Sequence, residues 1–200
     1  MGKQLLDEGV DQFFVGVTLR NYIPLEEFDQ FADEMGIQVK DTYIRATFPA
    51  LDPKEKITFA GVPANGKLND PASIEYMKAS LKRQAREKKA DKVAIKKTGN
   101  PDADAMEELE PDEIKAITVD DSDYALNGVY AIAGVVDAKG YRRLLKDKRV
   151  YNVDVTANVV YQQLKGGGMS WKDFADKVQL IGYVIFWDME KMGLDKFQAK

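Results

Sequence analysis

The stretch Val129-Tyr130-Ala131-Ile132-Ala133-Gly134-Val135-Val136 is the part of the chain that determines its fold. Its residues are β-branched, aromatic or small, which is typical of a strand covered on both faces. After Asp137 the apolar residues recur at helical spacing up to Leu145, and from Arg149 onward they return to an alternation of period two. Residues 127–156 are therefore predicted to form a compact strand–helix–strand (βαβ) unit.

The beginning of the chain carries a second copy of this pattern. Residues 13–19 alternate as a strand does, and an amphipathic helix follows from Pro24 to a terminating glycine, Gly36. Residues 37–48 then alternate again, and a short strand is expected at residues 57–59. The first of these strands, the helix and the strand after it form the first predicted βαβ unit.

A long helix is expected between the two units. Asn69-Asp70-Pro71 supplies a capping side chain and a proline at the first helical position, and apolar residues recur on one face to about Lys89. Two βαβ units around a long helix predict an α+β fold, a ferredoxin-like sandwich with one antiparallel sheet and helices on one of its faces. The residues expected to be buried in this sheet are Val15, Val17, Ile44, Ala131, Ala133 and Val153.

The ferredoxin-like domain is expected to cover residues 1–156, with an acidic loop at about residues 98–123. Residues 157–200 form an added C-terminal segment. Within it, Gly166-Gly167-Gly168 breaks the periodic pattern. Ser170, with an aspartate three residues later, has the spacing of a capping box, which predicts that a final helix starts there.

The amino-acid composition excludes most catalytic chemistry. The chain has neither cysteine nor histidine, so disulfides, thiolate metal sites, cysteine nucleophiles and histidine-based catalytic triads are ruled out. A structural or secreted protein needs neither residue type. We therefore expect a protein that is not an enzyme and that binds no cofactor.

One acidic motif resembles a calcium-binding loop. Asn100, Asp102 and Asp104 alternate as the first ligands of such a loop do. However, the next position is Ala105 where the loop has glycine, and the twelfth position is Pro111 where it has glutamate. The sequence therefore favours a solvated acidic loop, and no metal site is predicted.

Charge is segregated along the middle of the chain. Residues 78–97 contain nine basic and two acidic residues, whereas residues 102–123 contain ten acidic residues and one lysine. We expect the two blocks to neutralise each other. The net charge of −4 argues against nucleic acid as a partner, although the basic helix 78–97 leaves it open as an alternative. Its basic face comprises Lys78, Lys82, Arg83, Arg86 and Lys89.

No membrane span is expected. The longest apolar run, Val178 to Trp187, has about ten residues, whereas a spanning helix needs roughly twenty. The first residues contain no apolar run of signal-peptide length. An extracellular or cell-surface location with a removed leader is the main expectation, and a cytoplasmic location is the alternative.

The span from Val129 to Asp154 resembles the propeptide domain of subtilisin-like proteases, a ferredoxin-like module also found as free protease inhibitors. The resemblance rests on the first strand, on Leu144-Leu145 of the helix, on Lys146-Asp147 with a basic residue after it, and on the strand that ends at Asp154. The family commonly has a proline where this chain has Lys148. The resemblance implies an inhibitor or intramolecular chaperone whose partner is a subtilisin-like protease.

The C-terminal segment carries more large apolar residues than one domain face needs. A helix that is apolar nearly all round must be covered on every side, and an extended segment of this composition suits addition to a sheet edge. The leading hypothesis is therefore a non-enzymatic protein that binds other proteins or self-assembles, as a homo-oligomer or filament. The alternative is that the segment completes the core of its own domain. The candidate interaction residues are Trp171, Phe174, Ile181, Tyr183, Ile185, Phe186, Trp187 and Met189.

Overall fold

The computed structural model describes residues 2–61, 67–98 and 110–177. These ranges form an α+β fold, as the sequence predicts. The elements, in chain order, are α1 (Gly2–Asp7), β1 (Gln12–Ile23), α2 (Leu25–Met35), β2 (Gln38–Phe48), β3 (Asp52–Gly61), α3 (Pro71–Thr98), α4 (Pro111–Ala116), a 3-10 turn (Asp121–Asp123), β4 (Ala125–Asp137), α5 (Ala138–Leu144), β5 (Val150–Asp154), α6 (Thr156–Lys165) and α7 (Trp171–Lys177).

The five strands form one sheet in the order β3-β2-β4-β1-β5. β1 pairs antiparallel with β4 from Gln12 opposite Asp137 to Thr18 opposite Ala131, and it pairs antiparallel with β5 along its other edge. All four strands of the two predicted βαβ units therefore lie in a single sheet. The third strand of the chain is longer than the predicted residues 57–59.

The chain divides into two compact units. Of the described residues, the first unit contains 2–44, 59–61, 67–69 and 128–177, and the second contains 45–58, 70–98 and 110–127. The first unit holds the larger apolar core. It contains the whole of β1, α2, α5, β5, α6 and α7. The long helix α3 and the short helix α4 belong to the second unit.

Strand residues of the first unit are buried on both faces of the sheet. On one face Phe13 stacks on Tyr141 of α5, with ring centroids 4.6 Å apart. On the other face Phe14 packs with Tyr161 of α6 and Phe174 of α7. The prediction that helices cover only one face is therefore wrong, because the segment after β5 folds back over the opposite face.

Burial in the sheet follows the prediction with one exception. Val15, Val17, Ile44, Ala131 and Ala133 are at most 3 % exposed. Val153, which was expected to be buried, is only half-buried. It lies on β5, a five-residue strand at the end of the described sheet order, so it has a strand neighbour on one side only.

Two glycines, Gly36 and Gly134, lie where the fold disfavours a larger residue. Gly36 ends α2 with φ +71°, the left-handed conformation predicted for a glycine that terminates a helix. At Gly134 a Cβ atom would come within 2.7 Å of Ile37 and of the Gln38 carbonyl oxygen. Strand β4 can therefore approach the start of β2 only because it has no side chain there.

The long helix α3 starts as predicted but ends later. The Asp70 carboxylate accepts hydrogen bonds from the Ser73 amide at 3.0 Å and from the Ser73 hydroxyl at 3.1 Å. The helix continues to Thr98, past the predicted end at Lys89. Residues 90–98 contain neither glycine nor proline, and alanine and lysine among them favour continued helix.

Arg149 ties α2 to the turn that precedes β5. Its guanidinium group donates to Asp147 at 2.8 and 3.0 Å and to Glu34 at 2.9 Å, and it lies 4.6 Å from the centroid of the Phe31 ring. The hydrogen bonds from Arg149 hold the pKa of Asp147 below its usual value. This contact holds the α5–β5 turn against α2.

Candidate interaction surface

The buried side chain of Asn158 hydrogen-bonds helix α6 to strand β1. Its side-chain amide donates to the Phe14 carbonyl oxygen at 2.7 Å, and its side-chain oxygen accepts from the Phe14 amide at 2.9 Å. β5 ends at Asp154, which pairs with Gly16, so Phe14 lies two residues beyond the part of β1 that pairs with β5. Asn158 therefore takes the place that the next residue of a paired strand would occupy.

An aromatic cluster holds α7 against α6. The Tyr161 ring lies 4.9 Å from the Trp171 ring and 5.1 Å from the Phe174 ring, measured between centroids. Phe174 is 3 % exposed and belongs to the core of the first unit, together with Phe14 of β1. Trp171 packs on this core from outside and remains partly exposed.

The start of α7 is set by a side-chain cap at Ser170, the position that the sequence predicted. The Ser170 hydroxyl accepts from the Asp173 amide at 3.1 Å and donates to the Asp173 carboxylate at 2.7 Å. This satisfies one amide at the helix start and fixes the direction in which the helix leaves. The cap thus positions both Trp171 and Phe174, which occupy the first turn of α7.

Only two of the eight candidate interaction residues fall within the described part of the chain. Phe174 is buried within the first unit, as the alternative of a self-completed core expects, and it offers almost no surface to a partner. Trp171 retains an exposed part. The other six lie outside the described residues: Ile181, Tyr183, Ile185, Phe186, Trp187 and Met189.

Trp171 lines a shallow cleft of about 380 Å³. Two segments of the chain line it, and we call them its walls: residues 8–12, which lead into β1, and the α6 and α7 residues Tyr161, Gln162, Lys165 and Trp171. The first wall carries the carboxylates of Glu8 and Asp11, and the second carries the ammonium group of Lys165. We call this feature the Trp171 cleft.

A second charged surface lies in the second unit, where α3 contacts residues 110–123, which we call the acidic strap. Three basic side chains spaced four and three residues apart lie on one face of α3 and bind the strap. The contacts are Lys82 Nζ to Asp121 Oδ1 at 3.5 Å, Arg86 Nε to the Ile117 carbonyl oxygen at 3.2 Å, Lys89 Nζ to the Thr118 carbonyl oxygen at 3.0 Å and Lys89 Nζ to Asp123 Oδ2 at 2.5 Å.

The two aspartates of the strap that pair with α3, Asp121 and Asp123, differ in their electrostatics. Burial raises the pKa of Asp123, but hydrogen bonds from Lys89 and from the Asp120 amide lower it more, so the net pKa lies below the usual value. Asp121 is exposed, and a 2.7 Å hydrogen bond from the Tyr124 hydroxyl, with Lys82, lowers its pKa. The expected neutralisation between the basic and acidic blocks is confirmed for two aspartates, Asp121 and Asp123, which pair with Lys82 and Lys89.

Two further kinds of feature, a metal site and a membrane-spanning helix, are not found among the described residues. In residues 2–61, 67–98 and 110–177, no group of three or more carboxylates is arranged to hold a metal ion. The calcium-like motif that begins at Asn100 lies outside the described residues. Within the same ranges, no helix combines the length and apolar character that crossing a bilayer requires.

Sequence reasoning missed the residues that organise this surface, Asn158 and Tyr161. The available signal was their position: both fall on the same face of α6 as Ala157, where an asparagine between apolar residues is unusual unless its amide is paired.

Comparisons of the chain with known protein families, with curated proteins and with solved structures find no match.

Proposed function

We propose that this chain is a non-enzymatic interaction protein that self-associates through the Trp171 cleft, and that its domain is of the ferredoxin-like type. The strand order supports the fold assignment. β4 lies between β1 and β2, and β1 lies between β4 and β5. Each βαβ unit is thus split by a strand of the other unit, as in split βαβ folds. β3 extends the sheet beyond β2, and α6 and α7 are additions on the second face.

The observation that carries the functional proposal is the position of Trp171. Tryptophan supplies a large contact area and is enriched at the energetic centres of protein interfaces. Tyr161 and Phe174 pack against its ring at centroid distances of 4.9 and 5.9 Å. Because these neighbours already restrict the ring, ordering it on binding costs little additional entropy.

The charges of the Trp171 cleft support a second copy of the chain as the partner. Glu8 and Asp11 stand on one wall and Lys165 on the other. In a two-fold symmetric dimer each copy presents the same patch, so the patch must be complementary to itself. Opposite charges on opposite walls satisfy this requirement, because Lys165 of one copy can meet the two carboxylates of the other.

Light scattering over a wide concentration range tests the proposal. The wild-type protein is expected to exceed the monomer mass of 22.5 kDa, and Trp171→Ala is expected to return it to that mass. Leu164→Ala is the matched control, because Leu164 lies on α6 and is 42 % exposed but does not line the cleft. A wild-type protein that stays monomeric at all concentrations contradicts the proposal.

Charge reversal distinguishes the cleft from other apolar contacts. Lys165→Glu alone and Asp11→Lys alone are each expected to weaken association. When both changes are combined in one chain, opposite charges face each other again and association should recover. If the combined variant associates no better than the single variants, the charged walls do not meet across the interface.

The alternative proposal is a propeptide-type inhibitor of a subtilisin-like protease. It is supported by the span from Val129 to Asp154, whose structure is the strand β4, the helix α5 and the strand β5. Incubation of the purified protein with subtilisin tests it. Dose-dependent inhibition without cleavage favours the inhibitor, whereas unchanged protease activity and degradation of the chain favour the interaction protein.

We further propose that the protein acts outside the cytoplasm, at the cell surface or in the secreted fraction. Support comes from a composition without cysteine or histidine, which suits a structural role. Immunodetection in fractionated source cells tests this location. Signal confined to the cytoplasmic fraction contradicts it.

A further inference from the structure

We propose that the basic face of α3 is a binding site for an acidic polypeptide segment, and that the acidic strap is its intramolecular occupant. The strap must open before the segment of a partner protein can take its place. This inference concerns the second unit and is independent of the Trp171 cleft.

The chemistry of the contacts identifies the class of ligand. Two carboxylates and two backbone carbonyl oxygens of the strap are bound by Lys82, Arg86 and Lys89. Backbone at Ile117 and Asp120 is extended, with φ/ψ of −69°/117° and −95°/158°. The two bound carboxylates follow on the 3-10 turn Asp121–Asp123. An acidic peptide offers the same carbonyl and carboxylate groups in the same order. Nucleic acid offers phosphates where the strap offers the carboxylates of Asp121 and Asp123.

The site has room beside the strap. A cleft of about 420 Å³ is lined by Glu75, Lys78 and Lys82 of α3, by Asp121 of the strap, and by residues 124–126, which follow the strap. Lys78 adds positive charge one helical turn before Lys82. A partner segment longer than the strap can therefore extend its contacts along the same helix face.

Few of the described contacts of the strap are buried; the exception is the ion pair of Lys89 with Asp123, whose side chains are 23 % and 7 % exposed. Helix α4 contains no buried residue. Among the described side chains, Ile114 and Ile117 are half-buried and pack on Ala90. The pair between Lys82 and Asp121 is exposed, with 49 % and 88 % of the side chains accessible, and salt screens such pairs. Segments with few buried apolar contacts open locally at low free-energy cost.

A reversible cross-link tests whether the strap competes with a partner. The chain has no cysteine, so Ala90→Cys with Ile117→Cys introduces a single thiol pair where the two side chains pack. The probe is a fluorescent polyglutamate peptide, followed by anisotropy at low salt. The reduced protein is expected to bind it at least about tenfold more tightly than the oxidised protein, and reduction should restore binding to the same sample.

Charge variants provide the second measurement. Asp121→Asn weakens the strap and should tighten binding of the peptide, whereas Lys82→Met should weaken it. Lys139→Met, an exposed lysine of α5, is the matched control and should have no effect. Circular dichroism verifies that each variant remains folded.

Three results overturn the inference. The first is equal peptide affinity in the reduced and oxidised forms, which shows that the strap does not compete. The second is the absence of peptide binding in the reduced protein and in the Asp121→Asn variant. The third is displacement of the peptide by a single-stranded oligonucleotide at much lower concentration than by unlabelled polyglutamate, which assigns the face to nucleic acid.

Discussion

In the first unit, α6 and α7 cover one face of the sheet through apolar side chains. In the second unit, the acidic strap covers one face of α3 through charged ones. Phe174 and Asn158 are almost fully buried where α6 and α7 meet β1. Of the two strap aspartates that pair with α3, Asp123 is buried and Asp121 is exposed. Apolar burial is insensitive to moderate salt and to pH, and exposed ion pairs are sensitive to both. The packing of α6 and α7 on the sheet should therefore persist when salt or pH changes, whereas the contact of the strap with α3 should weaken.

The largest effect is expected from Phe174→Ala. The substitution opens a cavity among Phe14, Tyr161 and their neighbours, and such changes lower the free energy of unfolding by about 3–5 kcal/mol. Urea denaturation measures the change. Leu164→Ala, at an exposed position of the adjacent helix, should alter stability by no more than about 0.5 kcal/mol. Equal effects of the two substitutions would show that α7 does not close the core.

Asn158→Leu is expected to have the next largest effect. It leaves the buried amide and carbonyl of Phe14 without partners, and each orphaned group costs roughly 1–3 kcal/mol. Urea denaturation should show the loss, and hydrogen exchange of the Phe14 amide should become faster. Gln163→Leu on the exposed side of α6 serves as the control. Unchanged exchange at Phe14 argues that the paired geometry is not important in solution.

Acid should loosen the strap while α6 and α7 stay in place. The pKa of Asp123 is lower in the folded protein than its usual value of 3.8, so its contribution is fully present above that value. The contribution is lost as the pH falls through the lowered pKa. Hydrogen exchange at Ile117 should accelerate below about pH 4, and Asp123→Asn should reduce this pH dependence. The same acceleration at Phe174, whose apolar cluster contains no carboxylate, would contradict the contrast.

The smallest effect is expected from Lys82→Met. The ion pair of Lys82 with Asp121 is exposed and contributes little to stability, and the contribution should disappear at molar salt, where the Debye length is about 3 Å. Urea denaturation of both proteins at low and high salt measures it. A loss that persists at high salt would mean that the lysine stem packs on the strap and that charge is not its main role.

The sequence predicted the elements whose signals are local. The strand around Ala131, the caps at Asp70 and Ser170 and the terminating Gly36 all depend on neighbours within a few residues, and each is found where expected. The pairing of the two charge blocks also followed from composition alone. These features need no knowledge of which elements meet in space.

The errors concern contacts between distant parts of the chain. Val153 has the alternation of a buried residue, but only the strand order reveals that it lies on an edge. Asn158 is polar by type, and its burial depends on Phe14, 144 residues earlier. The residue types of β4 predicted a strand covered on both faces, yet they could not show that α6 and α7 supply the second cover. The remainder of the C-terminal cluster, from Ile181 onward, lies outside the described residues and stays a prediction.

The pairing of Asn158 with Phe14 also bears on solubility. An open strand edge is a template on which another chain can add a strand and begin to aggregate. Where β5 ends, the edge of β1 continues toward Gln12, and Asn158 occupies the ladder position in between. A single side chain thereby interrupts a surface that would otherwise accept an extended strand. Loss of this asparagine is therefore expected to promote aggregation even under conditions where the domain remains folded.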